Sequence, residues 1–306
     1  MKQNKICEIT KNIRLSQPDS LTFHIQTMTT LRTTQELHDF LQTKAQRKSV
    51  GFVPTMGALH KGHLSLLERA QEKDDIVLCS IFVNPTQFNE IGDYNSYPKV
   101  LDADLALLSN LKIDAVFVPN VQQIYPEGTD HIPHYEIGSL DDVLEGEHRP
   151  GHFQGVCHII DVLLRLIEPD HIYMGEKDFQ QIAVVQKLIE IKSHKTQLVP
   201  CATLRKESGL AMSSRNTRLS EKGKVNAAVF HQSLCFIRDN HTKEPFAALK
   251  EKAEAKMSAV GFTPEYIALC NASTLEVIDD FSKEIPMRLI GAAFLEDVRL
   301  IDNIAI

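Results

Sequence analysis

His60 and His63 stand three residues apart within PTMGALHKGH, residues 54–63. That spacing puts two side chains on one helix face. An imidazole pair can hold a metal, donate hydrogen bonds to an anion, or simply pack. The helical zinc pattern places histidines four apart around a glutamate, whereas Lys61 and Gly62 intervene here. Phosphate contact suits the surroundings better. The apolar run Val50–Val53 ends in a turn containing Pro54, Gly57 and Gly62, and a helical pattern follows with Leu64, Leu67 and Ala70. A strand, a glycine-bearing loop and a helix N-terminus together offer unpaired N–H groups and the positive end of the helix dipole. Gly62, lacking a side chain, would let a phosphate approach the backbone.

Other residues could join such a site. Lys177 follows Gly175 at the entrance to a second helical pattern; it is either a solvated surface charge or a phosphate ligand. Ser213, Ser214 and Arg215 are either an ordinary loop or a set of hydroxyl and guanidinium donors suited to a polyphosphate. Gln87 and Gln181 are either surface amides or neutral groups that hold a carboxylate or hydroxyl without adding charge.

These residues need elements to position them. Helical periodicity covers Thr33–Arg47, Pro98–Leu111, Phe153–Ile167 and Phe179–Lys192. Apolar runs at Ile76–Val83 and Asp114–Pro119 read as buried strands, the first with the continuous character of a parallel strand buried on both faces; a short strand is expected around His171–Met174, and Thr196–Pro200 closes the series. Strands alternating with helices predict a Rossmann-like parallel α/β sheet with helices on both faces, and ligands bind such sheets at the carboxyl ends of strands, near a switch point. The polar turns 54–63, 84–88 and 175–178 all follow predicted strands, so they can face one crevice. After residue 203 the pattern changes to helices at Ser220–Asp239 and Glu244–Val260. Short strands follow at Tyr266–Cys270, Glu276–Ile278, Met287–Phe294 and Val298–Ile301, with a tight turn at Leu295–Asp297. The predicted organisation is a large domain over residues 28–203 and a small α+β lid domain over 204–306, joined by the polar segment Arg205–Asn216.

The totals restrict the options. The chain has 306 residues and a formal charge of −7, which argues against a broad nucleic-acid footprint. No apolar run approaches the ~20 residues of a membrane helix. Six scattered cysteines without a C-x-x-C pair suggest reduced thiols in a cytoplasmic protein. Residues 1–27 lack the features of a secretory signal, and Met28 opens MTTLRTTQELHDFL; they are expected to be an extension outside the fold.

Five motifs, PTMGALHKGH, FVNPTQF (82–88), GHFQGV (151–156), GEKDFQQ (175–181) and GLAMSSRN (209–216), resemble in sequence and order those of the pantothenate synthetase family, across Met28–Ile306. The His-x-Gly-His element alone is shared with a wider nucleotidyltransferase superfamily. The resemblance implies a two-step reaction: the pantoate carboxylate attacks the α-phosphorus of ATP, then the amine of β-alanine attacks the pantoyl adenylate, releasing AMP. It implies ATP contacts at Met56, Gly57, Ala58, Leu59, His60, Lys61, Gly62, His63, Gly175, Glu176, Lys177, Asp178, Leu204, Met212, Ser213, Ser214 and Arg215. Of these, His63, His60, Lys177, Ser213, Ser214 and Arg215 would be catalytic, with His63 at the position usually assigned as proton donor. Gln87 and Gln181 would hold pantoate, with Asn84 and Tyr97 lining the acid and amine pockets. Mg2+ would accompany ATP, with Asp104 as a protein contact and Glu145 or Glu147 as alternatives; the acidic residue the family often has just before Asp104 is here Ala103. The resemblance also implies a homodimer.

Overall fold

The computed structural model describes residues 28–88, 91–129 and 132–306; residues 1–27, expected to be an extension, lie outside the described residues. Among the described residues, β1 (Thr29–Leu31), β2 (Val50–Thr55), β3 (Ile76–Ile81), β4 (Ala115–Phe117), β5 (His171–Gly175) and β6 (Gln197–Cys201) form a parallel sheet in the order β1-β4-β3-β2-β5-β6. β1 is a three-residue edge strand, too short for its alternation to register in the sequence. The connecting helices are α1 (Thr34–Lys44), α2 (Lys61–Gln71), α3 (Ile91–Ser96), α4 (Leu101–Ser109), α5 (Val121–Ile124), α6 (Glu145–His148), α7 (His152–Ile167) and α8 (Phe179–Lys192).

The central strands β2–β5 are largely buried on both faces, successive residues pointing opposite ways into two cores. Phe52, Leu78, Phe117 and Ile172 join a core with α1, α7 and α8, while their neighbours Val53, Cys79, Val116 and Tyr173 join another with α2 and α4. The strand order reverses at β2, whose neighbours β3 and β5 carry the chain outward in opposite directions. β2 pairs with β3 along its whole length but with β5 only at Gly51 and Phe52. Beyond that point β2 contains Pro54, which has no N–H to offer a ladder. The two strands therefore part at their carboxyl ends, and a crevice opens at the switch point.

The C-terminal residues build a second core from Leu210 to Ile304. There α9 (Glu221–Asn226), α10 (Ala228–Asn240) and α11 (Phe246–Ser258) accompany an antiparallel sheet of β7 (Thr263–Asn271), β8 (Met287–Leu295) and β9 (Val298–Ala305). Two details differ from the sequence reading. The predicted strand Glu276–Ile278 reduces to one isolated bridge between Cys270 and Val277. The predicted helix Ser220–Asp239 breaks at Ala227, its first part held by Ser220, which donates its N–H and hydroxyl to the Glu296 carboxylate. Glu296 and Asp297 both adopt positive φ, as the two-residue turn joining β8 to β9 requires.

Candidate active site

The crevice between β2 and β5 holds a cavity of about 230 Å³. Its walls include Met56, His60, Gly62, His63, Gln87, Tyr97, Gly175, Lys177, Asp178, Gln181, Leu204, Met212, Ser213, Ser214 and Arg215. Residues separated by up to 161 positions in sequence, Pro54 and Arg215 at the extremes, thus share one space. Gly57–Leu59, Lys61, Glu176, Asn84 and Asp104 are not part of these walls.

The N-terminus of α2 does not present bare N–H groups as expected. His60 Nδ1 accepts the Gly62 N–H at 3.1 Å, and His63 Nδ1 accepts the His60 N–H at 3.3 Å. Both Nδ1 atoms act as acceptors, so in each neutral ring the proton lies on Nε2. The N–H groups of Gly62, His63 and Leu64 are thus spent on His60, and the imidazoles present Nε2–H donors. Burial holds His63 down to about 3, helped by the charges of His60 and Lys177. Burial and Lys177 hold His60 down to about 4. Both rings are therefore neutral hydrogen-bond donors at pH 7. Gly62 serves this arrangement too: a Cβ there would lie 2.9 Å from the His60 ring. Its missing side chain makes room for the imidazole rather than directly for a phosphate.

Asp104 holds the loop from behind. Its two carboxylate oxygens accept the N–H groups of Ala58, at 2.8 Å, and Leu59, at 2.7 Å. Gly57 and Ala58 take positive φ to present those groups, and a Cβ at Gly57 would come within 2.9 Å of Asp104. The carboxylate expected to meet a metal is thus buried and committed to backbone. Glu145 is committed as well, accepting from Arg299 at 2.7 and 2.8 Å and from the Tyr266 hydroxyl at 2.8 Å. Glu147 is exposed on the surface. Among the described residues no three His, Cys, Asp or Glu side chains gather as a metal site, so this donor set does not form a protein cage for Mg2+.

The turn after β3 aims Gln87. Asn84 is buried, with Oδ1 accepting from the Tyr125 hydroxyl and from Thr86, while Nδ2 donates to the Gly155 carbonyl at 3.1 Å and to Gln87 Oε1 at 3.2 Å. Its polar atoms are thus engaged within the protein, and one of them holds Gln87 Oε1. With Oε1 occupied, Gln87 turns Nε2 toward Met56 Sδ, 3.0 Å away on the cavity wall. The turn lies so close to α7 that a Cβ at Gly155 would come within 2.3 Å of the Thr86 carbonyl oxygen.

Also around the cavity, Lys177 Nζ lies 3.6 Å from Asp178 Oδ1, and Ser214 Oγ lies 3.3 Å from the Tyr97 hydroxyl. Segment 205–216, the polar stretch expected to join the two domains, is fastened at its start. Arg205 makes a two-pronged contact with Asp302 at 2.7 and 2.8 Å, and a backbone bridge joins Arg205 to Ala211.

A family model described as pantoate-beta-alanine ligase matches residues 29–305. The chain belongs to this family. It is an acid–amine ligase by that membership. It is 40% identical over 269 residues to the pantothenate synthetase of Cytophaga hutchinsonii, covering 87% of this chain and 94% of that one. Identity to the Porphyromonas gingivalis enzyme is 39% over 282 residues, covering 90% and 99%. The solved pantothenate synthetase from Thermus thermophilus superposes with a TM-score of 0.83 at 39% identity, covering 90% of this chain and 99% of that one. The ligase from Francisella tularensis, solved with beta-gamma ATP and beta-alanine, gives a TM-score of 0.76 at 34% identity, covering 91% and 97%.

Two cavity residues of this ligase, Arg149 and His152, escape the sequence reading. His152 Nδ1 lies 2.7 Å from the Gln87 carbonyl, which can only accept, so Nδ1 carries the proton. Its Nε2 then accepts from Arg149 at 3.0 Å. Burial and the Arg149 charge hold His152 down to about 3. An arginine–imidazole–carbonyl chain therefore fixes the Gln87 backbone. The signal overlaps the GHFQGV motif, in RPGHFQGV at 149–156, but only the fold shows that its histidine turns back toward the 84–88 turn.

Proposed function

We propose that this ligase condenses pantoate with β-alanine, at the expense of ATP, through a pantoyl adenylate. The observation that carries the reading is that one cavity gathers two kinds of group: the cationic and neutral donors His60, His63, Lys177, Ser213, Ser214 and Arg215, and the neutral amides Gln87 and Gln181. Negative charge develops on the departing pyrophosphate, and fixed donors there stabilise the transition state more than the ground state. A cation on the pantoate carboxylate would blunt its attack, and amides hold it without doing so.

In the first step a carboxylate oxygen of pantoate forms a bond to the α-phosphorus while the bond to the β-phosphate oxygen breaks, and pyrophosphate leaves. In the second, the β-alanine ammonium loses one proton to become a nucleophilic amine, its nitrogen bonds to the acyl carbon as the acyl–oxygen bond to AMP breaks, and a second proton leaves as the amide forms. The two histidines take part as neutral Nε2–H donors, His63 being the more buried. Mg2+ is expected to arrive on the nucleotide phosphates. The C-terminal unit, expected as residues 204–306, serves as a lid whose closure excludes water from the adenylate. A homodimeric, cytoplasmic enzyme belongs to the same proposal; light scattering tests the first.

The deciding experiment is isotope exchange. Labelled pyrophosphate should enter ATP when pantoate is present and β-alanine absent, and AMP should accumulate catalytically only when β-alanine is added. Exchange that needs β-alanine would overturn the two-step order.

A further inference from the structure

Both groups of phosphate-side donors are tied to the same two adjacent residues of β9. Asp302 receives the fork of Arg205 at 2.7 and 2.8 Å, at the head of the segment that carries Ser213–Arg215. Asn303 reaches the other way: its Nδ2 donates to the carbonyls of Glu176, at 2.9 Å, and Lys177, at 2.8 Å. Its Oδ1 accepts from Arg288 Nε at 2.8 Å, which fixes the amide so that the donor end faces the turn. Arg288 also bonds Glu176 Oε2 at 3.1 Å and stacks 3.8 Å from the Phe179 ring centre. Asn303 is buried at 3% exposure; it is absent from the walls of the 230 Å³ cavity and lines a smaller one, of about 30 Å³, that also touches Lys177.

We propose that Asn303 is a positioning residue that sets Lys177 for phosphate binding, so that Asp302 and Asn303 hold the two donor groups in register. This rests on the reading of Lys177 as a phosphate ligand. The turn that carries Lys177 leaves the sheet at Gly175, beside open space. Between that strand end and the start of α8, the two carbonyls held by Asn303 fix where the Lys177 backbone sits. The anchor belongs to the C-terminal unit, so the lysine's geometry depends on how that unit is docked.

The test measures binding of a non-hydrolysable ATP analogue and, separately, of pantoate to the full chain by calorimetry, for Asn303→Ala, Lys177→Ala and the double variant. Asn303→Ala should weaken the analogue about tenfold, the scale of one misplaced charge-assisted hydrogen bond, and leave pantoate unchanged. In the Lys177→Ala background it should change analogue binding less than about twofold, because the group it positions is gone. Equal losses in both backgrounds, a parallel loss of pantoate binding, or no loss in the native background would overturn the proposal. Lys177→Ala binding the analogue normally would instead remove the underlying reading of Lys177. Asn303→Asp, which keeps the acceptor for Arg288 but turns an oxygen toward both carbonyls, provides the same measurement should the alanine variant not fold.

Discussion

The imidazole rings of His60 and His63 stack with their centres 4.1 Å apart, at an angle of 29°. Each is locked by a backbone N–H at Nδ1, so each keeps its proton on the atom available to the cavity. His63→Ala removes one preorganised donor and should lower adenylate formation about 10²–10³-fold. It also removes the acceptor of the His60 N–H, leaving the His60 cap of α2 in place, at a cost of about 1 kcal/mol. Pyrophosphate exchange and a urea titration separate the two effects; near-normal exchange would sink the assignment.

The same burial makes stability depend on pH. His63 and His152 are held to about 3 in the folded chain, against 6.5 as the ordinary value. Below pH 6.5 the unfolded chain takes up protons that the folded chain refuses. Stability is therefore full above that pH and falls as the pH drops toward 3, each group adding up to about 1.4 kcal/mol per pH unit. Urea unfolding at pH 7, 6 and 5 should show this slope, and His152→Asn should reduce it by one proton's worth. An unchanged slope would mean that His152 does not titrate as the fold dictates.

Much of this arrangement is legible in sequence, and the limits are physical. Parallel strands announce themselves as apolar runs and helices as stripes, so periodicity alone places the three strand-end turns in one crevice. Hydrogen-bond direction cannot be read that way. That His60 caps its own helix, that Asn84 spends its amide on Gln87, and that Asp104 faces backbone all depend on which way a side chain turns in the folded chain. Glu145 shows the same limit: an acidic residue in a polar loop reads equally as a metal ligand or as the partner of an arginine 154 positions away.

Asp104→Asn tests the anchoring role directly. One of the two loop N–H groups would then face an NH2 group, and two bonds to a charged acceptor are worth roughly 1.5–3 kcal/mol each. The expected result is a higher KM for ATP and a lower melting temperature, with the Mg2+ concentration for half-maximal rate changed less than about twofold. A large shift in that Mg2+ requirement would restore the carboxylate as a metal contact.

Gly155→Ala probes the pantoate side. The added methyl would meet Thr86 backbone atoms at 2.3 and 2.6 Å and the Gln87 Cα at 2.8 Å, and none of these is a flexible side-chain end. The turn must move off α7 and carry Gln87 with it. An increase of about tenfold or more in KM for pantoate is expected, with KM for ATP much less affected, since a displacement of about 1 Å in a positioning group can cost up to 10²-fold. Equal increases for both substrates would indicate general loosening.

Arg299→Met tests how the C-terminal sheet is held against the larger one. Burial alone would raise the Glu145 carboxyl; the hydrogen bonds and charge of Arg299, with the Tyr266 hydroxyl, reverse this and hold it at about 2. The pair contributes stability above the ordinary carboxyl value of 4.5, and that contribution is lost as the pH falls toward 2. Removing Arg299 leaves a buried charge whose nearest other cation is Arg149, 3.9 Å away. Losing a partner in this way typically costs about 3–5 kcal/mol, so Arg299→Met should be strongly destabilised at pH 7. Adding Glu145→Gln removes the stranded charge and should recover most of the loss. Urea unfolding of the single and double variants measures the recovery; a double variant no more stable than Arg299→Met alone would show that packing of the arginine, not its charge, holds the two sheets together.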